Sequence, residues 1–275
     1  METRAIRSFD GTSIYYTYDP GQRDQGRSRY CGNKDGDKEC MVFVHGAGAN
    51  HTIWSAYLER FRDKRIIAPD LRGHGRSSRG RMSISRCAKD LKAVLDHEGM
   101  EKAVLVAHSL GSAVSVEFYR QNPGMVSRLV LMNIFSKEYI RLGATFALFN
   151  SALVKILRKL NSRRKLRFQD YEKLRKKAFF RYAIADFRGT SYTAYFGALQ
   201  ELFRYNLCLD TLEVPVMLLQ GTRDIFSDNS RILARTANNP NISIKLLRAG
   251  HLTPLREGDV IPLIERFMKH DPRRD

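Results

Sequence analysis

Six short apolar runs, at residues 41–44, 66–68, 103–106, 129–132, 216–219 and 242–247, constrain this chain more than any other feature. Each is rich in Val, Ile or Leu and too short for a buried helix, the pattern of strands covered on both faces of a parallel sheet. Helical patterns lie between them, as at residues 85–97 and 113–120. Strand alternating with helix predicts an α/β fold with a mostly parallel sheet. Ahead of the first run, residues 4–9 and 13–18 read as two strands joined across Asp10-Gly11, a hairpin turn signal. The polar, glycine-bearing stretch 19–39 reads as a long surface loop. No internal repeat is apparent.

The alternation breaks once. Between about Asn133 and Thr211 only helical patterns occur, so roughly eighty residues are inserted between two strands. Residues 137–181 hold 14 Lys and Arg against three acids, a net +11 out of the chain's +18. Such a charge points to an anionic partner: a lipid surface, a nucleic acid or an acidic small molecule. Within the insertion Leu142, Phe146, Phe149, Leu153, Ile156 and Leu160 share one helix face, and Arg158, Lys159, Arg163, Arg164, Lys165 and Arg167 accompany or follow it. That face either covers a pocket or dips into an anionic membrane surface, and the two roles are compatible. No recognised nucleic-acid module is present, so no nucleic-acid partner is expected.

Composition bounds the rest. A 43% apolar content over 275 residues excludes a wholly disordered chain. No run approaches the ~20 apolar residues of a membrane span, and no apolar segment follows the N-terminal Met-Glu-Thr-Arg, so a soluble, cytoplasmic chain is expected. Cys31, Cys40, Cys87 and Cys208 form no zinc-ligand spacing and read as incidental thiols; neither metal nor organic cofactor is expected.

In open α/β sheets ligands bind beyond the carboxyl ends of the strands. The run 103–106 leads into Ala107-His108-Ser109-Leu110-Gly111 and then a helix. A serine on so tight a turn has its hydroxyl lifted clear of the sheet, and small residues two before and two after it avoid collisions across the turn. Another strand end reads His45-Gly46-Ala47-Gly48, where the Ala47 N–H, with that of Leu110, would make a two-donor oxyanion hole. A third reads Asp70-Leu71-Arg72-Gly73-His74-Gly75-Arg76-Ser77, which lacks the spacing and the Lys-Ser/Thr of a phosphate loop. Asp224 follows the run 216–219, and His251 follows 242–247. Serine needs a base to take its proton, and the base needs a carboxylate to fix its tautomer. The order Ser109, Asp224, His251 suits this sheet. Asp228 rivals Asp224 but stands where it would cap the following helix. His108 is expected to point away from the cleft, His45 to brace the oxyanion turn, and His51 carries no signal.

With these motifs and Trp54, the sequence resembles the α/β-hydrolase superfamily, in its serine-nucleophile, capped, esterase- or lipase-like branch. Ala107 departs from the usual glycine. The resemblance implies a core sheet of eight mostly parallel strands with a helical cap inserted after the sixth. The implied division is a core of residues 1–133 and 212–275 and a strongly basic cap of residues 134–211. It also implies a serine esterase with Ser109, Asp224 and His251 as triad and Ala47 and Leu110 as oxyanion-hole donors. A serine at the elbow disfavours the branches that use Asp there, the epoxide hydrolases and haloalkane dehalogenases. A small-molecule acyl substrate is implied, a medium or long acyl or aryl ester given Phe135, Phe146, Phe149, Phe179 and Phe180. Thioesters, amides, β-diketone C–C bonds and a non-catalytic binding role remain alternatives.

Overall fold

The computed structural model describes residues 1–21, 39–141, 152, 167–174 and 179–269. The amphipathic run Leu142, Phe146, Phe149, Leu153, Ile156, Leu160 and the basic residues Arg158, Lys159, Arg163, Arg164 and Lys165 lie outside the described residues. So do residues 22–38 and the side chains of Phe179 and Phe180.

Eight strands form one sheet: β1 (Glu2–Arg7), β2 (Ser13–Asp19), β3 (Glu39–Val44), β4 (Ile66–Pro69), β5 (Lys102–His108), β6 (Val126–Met132), β7 (Val216–Gly221) and β8 (Ile242–Leu247), in the order β1-β2-β4-β3-β5-β6-β7-β8. β2 runs antiparallel to both its neighbours, and every pairing from β4 to β8 is parallel. The β1–β2 hairpin forms as the sequence predicts, but β1 stops at Arg7 rather than residue 9. Ser8 leaves the ladder because its N–H and C=O close the loop onto Thr12 and Gly11, both at 2.9 Å, with Gly11 at φ 80°. Its hydroxyl turns inward to Asp90 Oδ1 at 2.5 Å.

Side-chain alternation along the central strands builds two cores, one on each face of the sheet. On β3, Cys40, Val42 and Val44 face one way and join Leu91, Val114 and Phe118. These come from helices on that face: α2 (Ile84–His97), capped by Ser83, and α3 (Leu110–Gln121). Met41 and Phe43 face the other way and join Trp54, Tyr57, Val260 and Ile264. The last three lie on α1 (Ser55–Arg60) and on the C-terminal helix, Glu257–Lys269. β8 departs from the expected two-sided burial: as an edge strand it is at best half-buried, and Lys245 and Leu246 are exposed. A lysine on an edge strand hinders pairing with another chain.

After β6 come three described helices, α4 (Tyr171–Leu174), α5 (Phe179–Gly189) and α6 (Tyr192–Leu202), and the chain returns to the sheet at β7. Thr190 Oγ1 donates to the Gly48 carbonyl at 2.7 Å, the Ser191 N–H to Gly73 O at 3.1 Å, and Asn50 Nδ2 to Gln169 O at 2.7 Å. These bonds tie the helical segment to the turns after β3 and β4. Then follow α7 (Asn229–Thr236) and α8 (Glu257–Lys269). Among the described residues no helix is long and apolar enough to cross a membrane.

Candidate active site

β5 delivers Ser109 on a turn that only close packing can hold. Ser109 sits at φ 51°, ψ −112°, and its N–H is anchored to the Met132 carbonyl of β6 at 2.9 Å. A non-glycine residue at positive φ is strained, and such strain persists where the surroundings over-determine it. Here they do so through Gly111: a Cβ at that position would lie 2.2 Å from the Val44 carbonyl oxygen. α3 starts immediately after Ser109, so its N-terminal amides point toward the serine.

The turns after β7 and β8 bring the other two predicted residues to Ser109. His251 Nε2 lies 3.0 Å from Ser109 Oγ, and His251 Nδ1 lies 2.8 Å from Asp224 Oδ2. A carboxylate only accepts, so Nδ1 carries the proton and Nε2 is left to accept from the serine hydroxyl. Burial pushes the Asp224 carboxyl upward. Its bond to His251, with the Phe226 N–H at 2.9 Å and Asn133 Nδ2 at 2.7 Å, outweighs burial and holds the pKa down at about 2. Asp224 is therefore ionised at neutral pH. Asp228 accepts from the Ser230 and Arg231 N–H groups and caps α7, as the sequence predicts.

The turn after β3 supplies the opposite wall. Trp54, fully buried, packs on Phe43 with ring centroids 5.7 Å apart and backs this turn. His45 accepts the Leu71 N–H at Nε2 (3.0 Å) and donates from Nδ1 to the Gly46 carbonyl at 2.7 Å. It braces the turn, and burial holds its pKa down at about 4, so it stays neutral. Among the described residues neither the Ala47 nor the Leu110 N–H is taken up by an acceptor.

One residue departs from expectation, and others show their partners only in the fold. His108 does not point away: it lines the same cavity as Ser109, and its Nε2 donates to the His251 carbonyl at 2.7 Å. Burial lowers its pKa to about 3, so it acts as a neutral tether. His51, which carries no sequence signal, bonds through Nδ1 to the buried Asp70 at 2.8 Å. Asn133 was not among the candidates. It stands at the end of β6 at φ 47°, donates to Asp224, and accepts from Thr253 Oγ1 at 2.5 Å. A lone polar residue closing the run 129–132 is its one sequence signal. Arg72 is structural: it forks onto Asp90 at 2.6 and 2.7 Å and reaches Asp10 at 3.0 Å.

The cavity encloses about 400 Å³. Ser109 and His251 line it with Gly46, Ala47, Phe135, Phe226 and Leu252, and α4, α5 and α6 add Tyr171, Tyr182, Asp186, Tyr195 and Phe196. A largely apolar cavity that holds a hydroxyl bonded to an imidazole can take up and activate an acyl carbon.

A family model described as "Alpha/beta hydrolase family" matches residues 41–261, and the chain belongs to that family. It is 36% identical to an uncharacterized protein of Mycobacterium bovis over 104 residues, 36% of this chain and 30% of that protein. It is 34% identical to epoxide hydrolase 1 of Caenorhabditis elegans over 113 residues, 39% of this chain and 28% of that one. The matched segments thus span about a third or less of these curated relatives. A hydrolase from Pseudomonas aeruginosa PA01 shares the fold at a TM-score of 0.76 and 19% identity, over 98% of this chain and 99% of that one.

Proposed function

We propose that this member of the family is a serine hydrolase that cleaves a carboxylic ester, of a medium or long acyl chain or of an aryl alcohol, through an acyl-enzyme. The hydrogen-bonded line from Ser109 through His251 to Asp224, at 3.0 and 2.8 Å, carries the reading. His251 Nε2 takes the Ser109 proton as Oγ attacks the ester carbonyl carbon. The Ala47 and Leu110 amides receive the charge that develops on the carbonyl oxygen. His251 then gives the proton to the departing alkoxide, leaving Ser109 acylated. Water, deprotonated by the same nitrogen, releases the acid, and Asp224 stabilises the imidazolium in both halves.

Two features favour an ester over an epoxide. Ser109 occupies the elbow, where epoxide hydrolases of this superfamily carry Asp. The cavity walls are mainly aromatic and aliphatic, which suits an acyl chain or aryl group. We take residues 1–133 and 212–275 as the catalytic core and 134–211 as a helical cap, of which α4, α5 and α6 roof the cavity. The basic stretch of the cap is proposed to touch anionic membrane surfaces peripherally.

The test is turnover of p-nitrophenyl esters from two to sixteen carbons by the native chain and by Ser109→Ala. The native chain is expected to show an optimum in chain length, and the variant to lose about 10⁴-fold or more in kcat. Equal rates for both proteins would overturn the reading.

A further inference from the structure

One group in the cavity is not used by the reaction just described. Asp186, on α5, lines the cavity with Ser109 and His251, and it is the one acid among the described lining residues. No Lys or Arg of the described residues lines the cavity with it, in a chain whose net charge is +18. The Tyr171 hydroxyl donates to its Oδ1, and its other side presses on the oxyanion turn, where a Cβ on Gly48 would fall 2.7 Å from Asp186 Cβ and 2.9 Å from Oδ2. The carboxyl is thus held in place, and among the described residues its one side-chain donor is the neutral Tyr171 hydroxyl. A buried carboxylate needs a counter-charge, and none of the described residues lining the cavity supplies one. Burial accordingly pushes its pKa up to about 7, against a smaller lowering by the Tyr171 hydroxyl.

The surroundings show what kind of group could supply that charge. Tyr171 and Tyr182 stack with centroids 6.2 Å apart, and Tyr195 and Phe196 meet edge to face at 5.2 Å; all four line the cavity. Aromatic faces attract cations, and together with a carboxylate they form the environment that selects an organic ammonium group over a hydrated metal ion. We infer that this cavity recognises an alkylammonium group, so that the substrate carries a cationic nitrogen seated between Asp186 and the aromatic rings while its acyl carbon reaches Ser109. The inference takes from the proposed function that this cavity is the substrate site.

A shape-matched pair of probes tests it: choline butyrate and 3,3-dimethylbutyl butyrate, which differ in a quaternary nitrogen against a quaternary carbon. Binding is measured by calorimetry on Ser109→Ala, which cannot turn the probes over, and on Ser109→Ala with Asp186→Asn. At pH 8 the first protein is expected to bind the choline ester about tenfold more tightly than its neutral counterpart. At pH 5.5, with Asp186 protonated, the preference shrinks, and in the Asp186→Asn protein it is absent at both values. Of the groups facing Asp186, Tyr171, Tyr195 and His108 stay neutral at both values; any charge on His251 would act on the cationic probe alone, and the Asp186→Asn protein, which keeps His251, controls for it. Should Asp186→Asn not fold, the pH dependence of the preference in Ser109→Ala with His251→Gln, which has no imidazole at position 251, carries the test.

Equal binding of the two probes at pH 8, or a preference that Asp186→Asn leaves intact, overturns the inference. Turnover by the native chain separates the two claims. Tight binding of the choline ester without hydrolysis would contradict the esterase reading and leave the ammonium site standing. Hydrolysis of both esters at equal kcat/KM would do the reverse.

Discussion

At the residue scale, Ser109, Asp224 and His251, which the structure joins in one hydrogen-bonded line, were legible as candidates because each follows an apolar strand run and stands beside small residues: Ser109 before Gly111, Asp224 after Gly221, His251 after Gly250. The residues that support them were not, since their work lies in contacts across the sheet. Asn133 is 91 residues from the carboxylate it holds, and His108 is 143 from the carbonyl it tethers. Nothing in a linear pattern encodes such partners. Asn133→Ala removes a donor from Asp224 Oδ2 and the acceptor of Thr253 Oγ1, leaving buried polar groups short of partners. The expected cost is about 1–3 kcal/mol of stability. Because Asp224 also loses a fixed orientation, kcat should fall about tenfold with KM little changed. Urea denaturation and steady-state kinetics measure the two effects, and an unchanged kcat would remove Asn133 from the positioning set.

At the element scale, the sheet followed from six apolar runs because strands covered on both faces need unbroken apolar side chains, as β3, β4, β5 and β7 show. β8 carries a comparable run yet lies half-open at the edge, since an apolar run reports strand propensity and not position in the sheet. The junction of β5 with α3 is where element and chemistry meet. Gly111→Ala would push a Cβ against the Val44 carbonyl, backbone that cannot swing aside. The prediction is a loss of roughly 1–3 kcal/mol or more in stability. Activity should fall out of proportion to the folded fraction, because α3 must shift and take Ser109 with it. Circular dichroism melting beside active-site titration checks this; native activity in the variant would show that the turn tolerates a wider approach.

At the scale of the whole molecule, charge and pocket pull in different directions. The +18 charge is concentrated toward residues 137–181, while the cavity holds an acid and aromatic walls. Composition announced the first, but the second depended on how α4, α5 and α6 are brought over Ser109, which helical spacing leaves open. We propose that the charge of residues 137–181 serves attraction to an anionic surface. Arg163→Glu, Arg164→Glu and Lys165→Glu together should abolish binding to vesicles containing anionic lipid at low salt, with turnover of short soluble esters unchanged. Equal loss of both would show that the basic residues serve the reaction itself.

The proposed esterase reaction depends on Ser109 being a nucleophile that His251 activates. The most direct measurement is reaction of the folded chain with a fluorophosphonate, with the modified residue located by mass spectrometry. The account predicts one adduct, on Ser109, absent from Ser109→Ala and formed at least about a hundredfold more slowly in His251→Ala, where no base takes the proton. An adduct on another residue, or none under conditions that keep the chain folded, would contradict it.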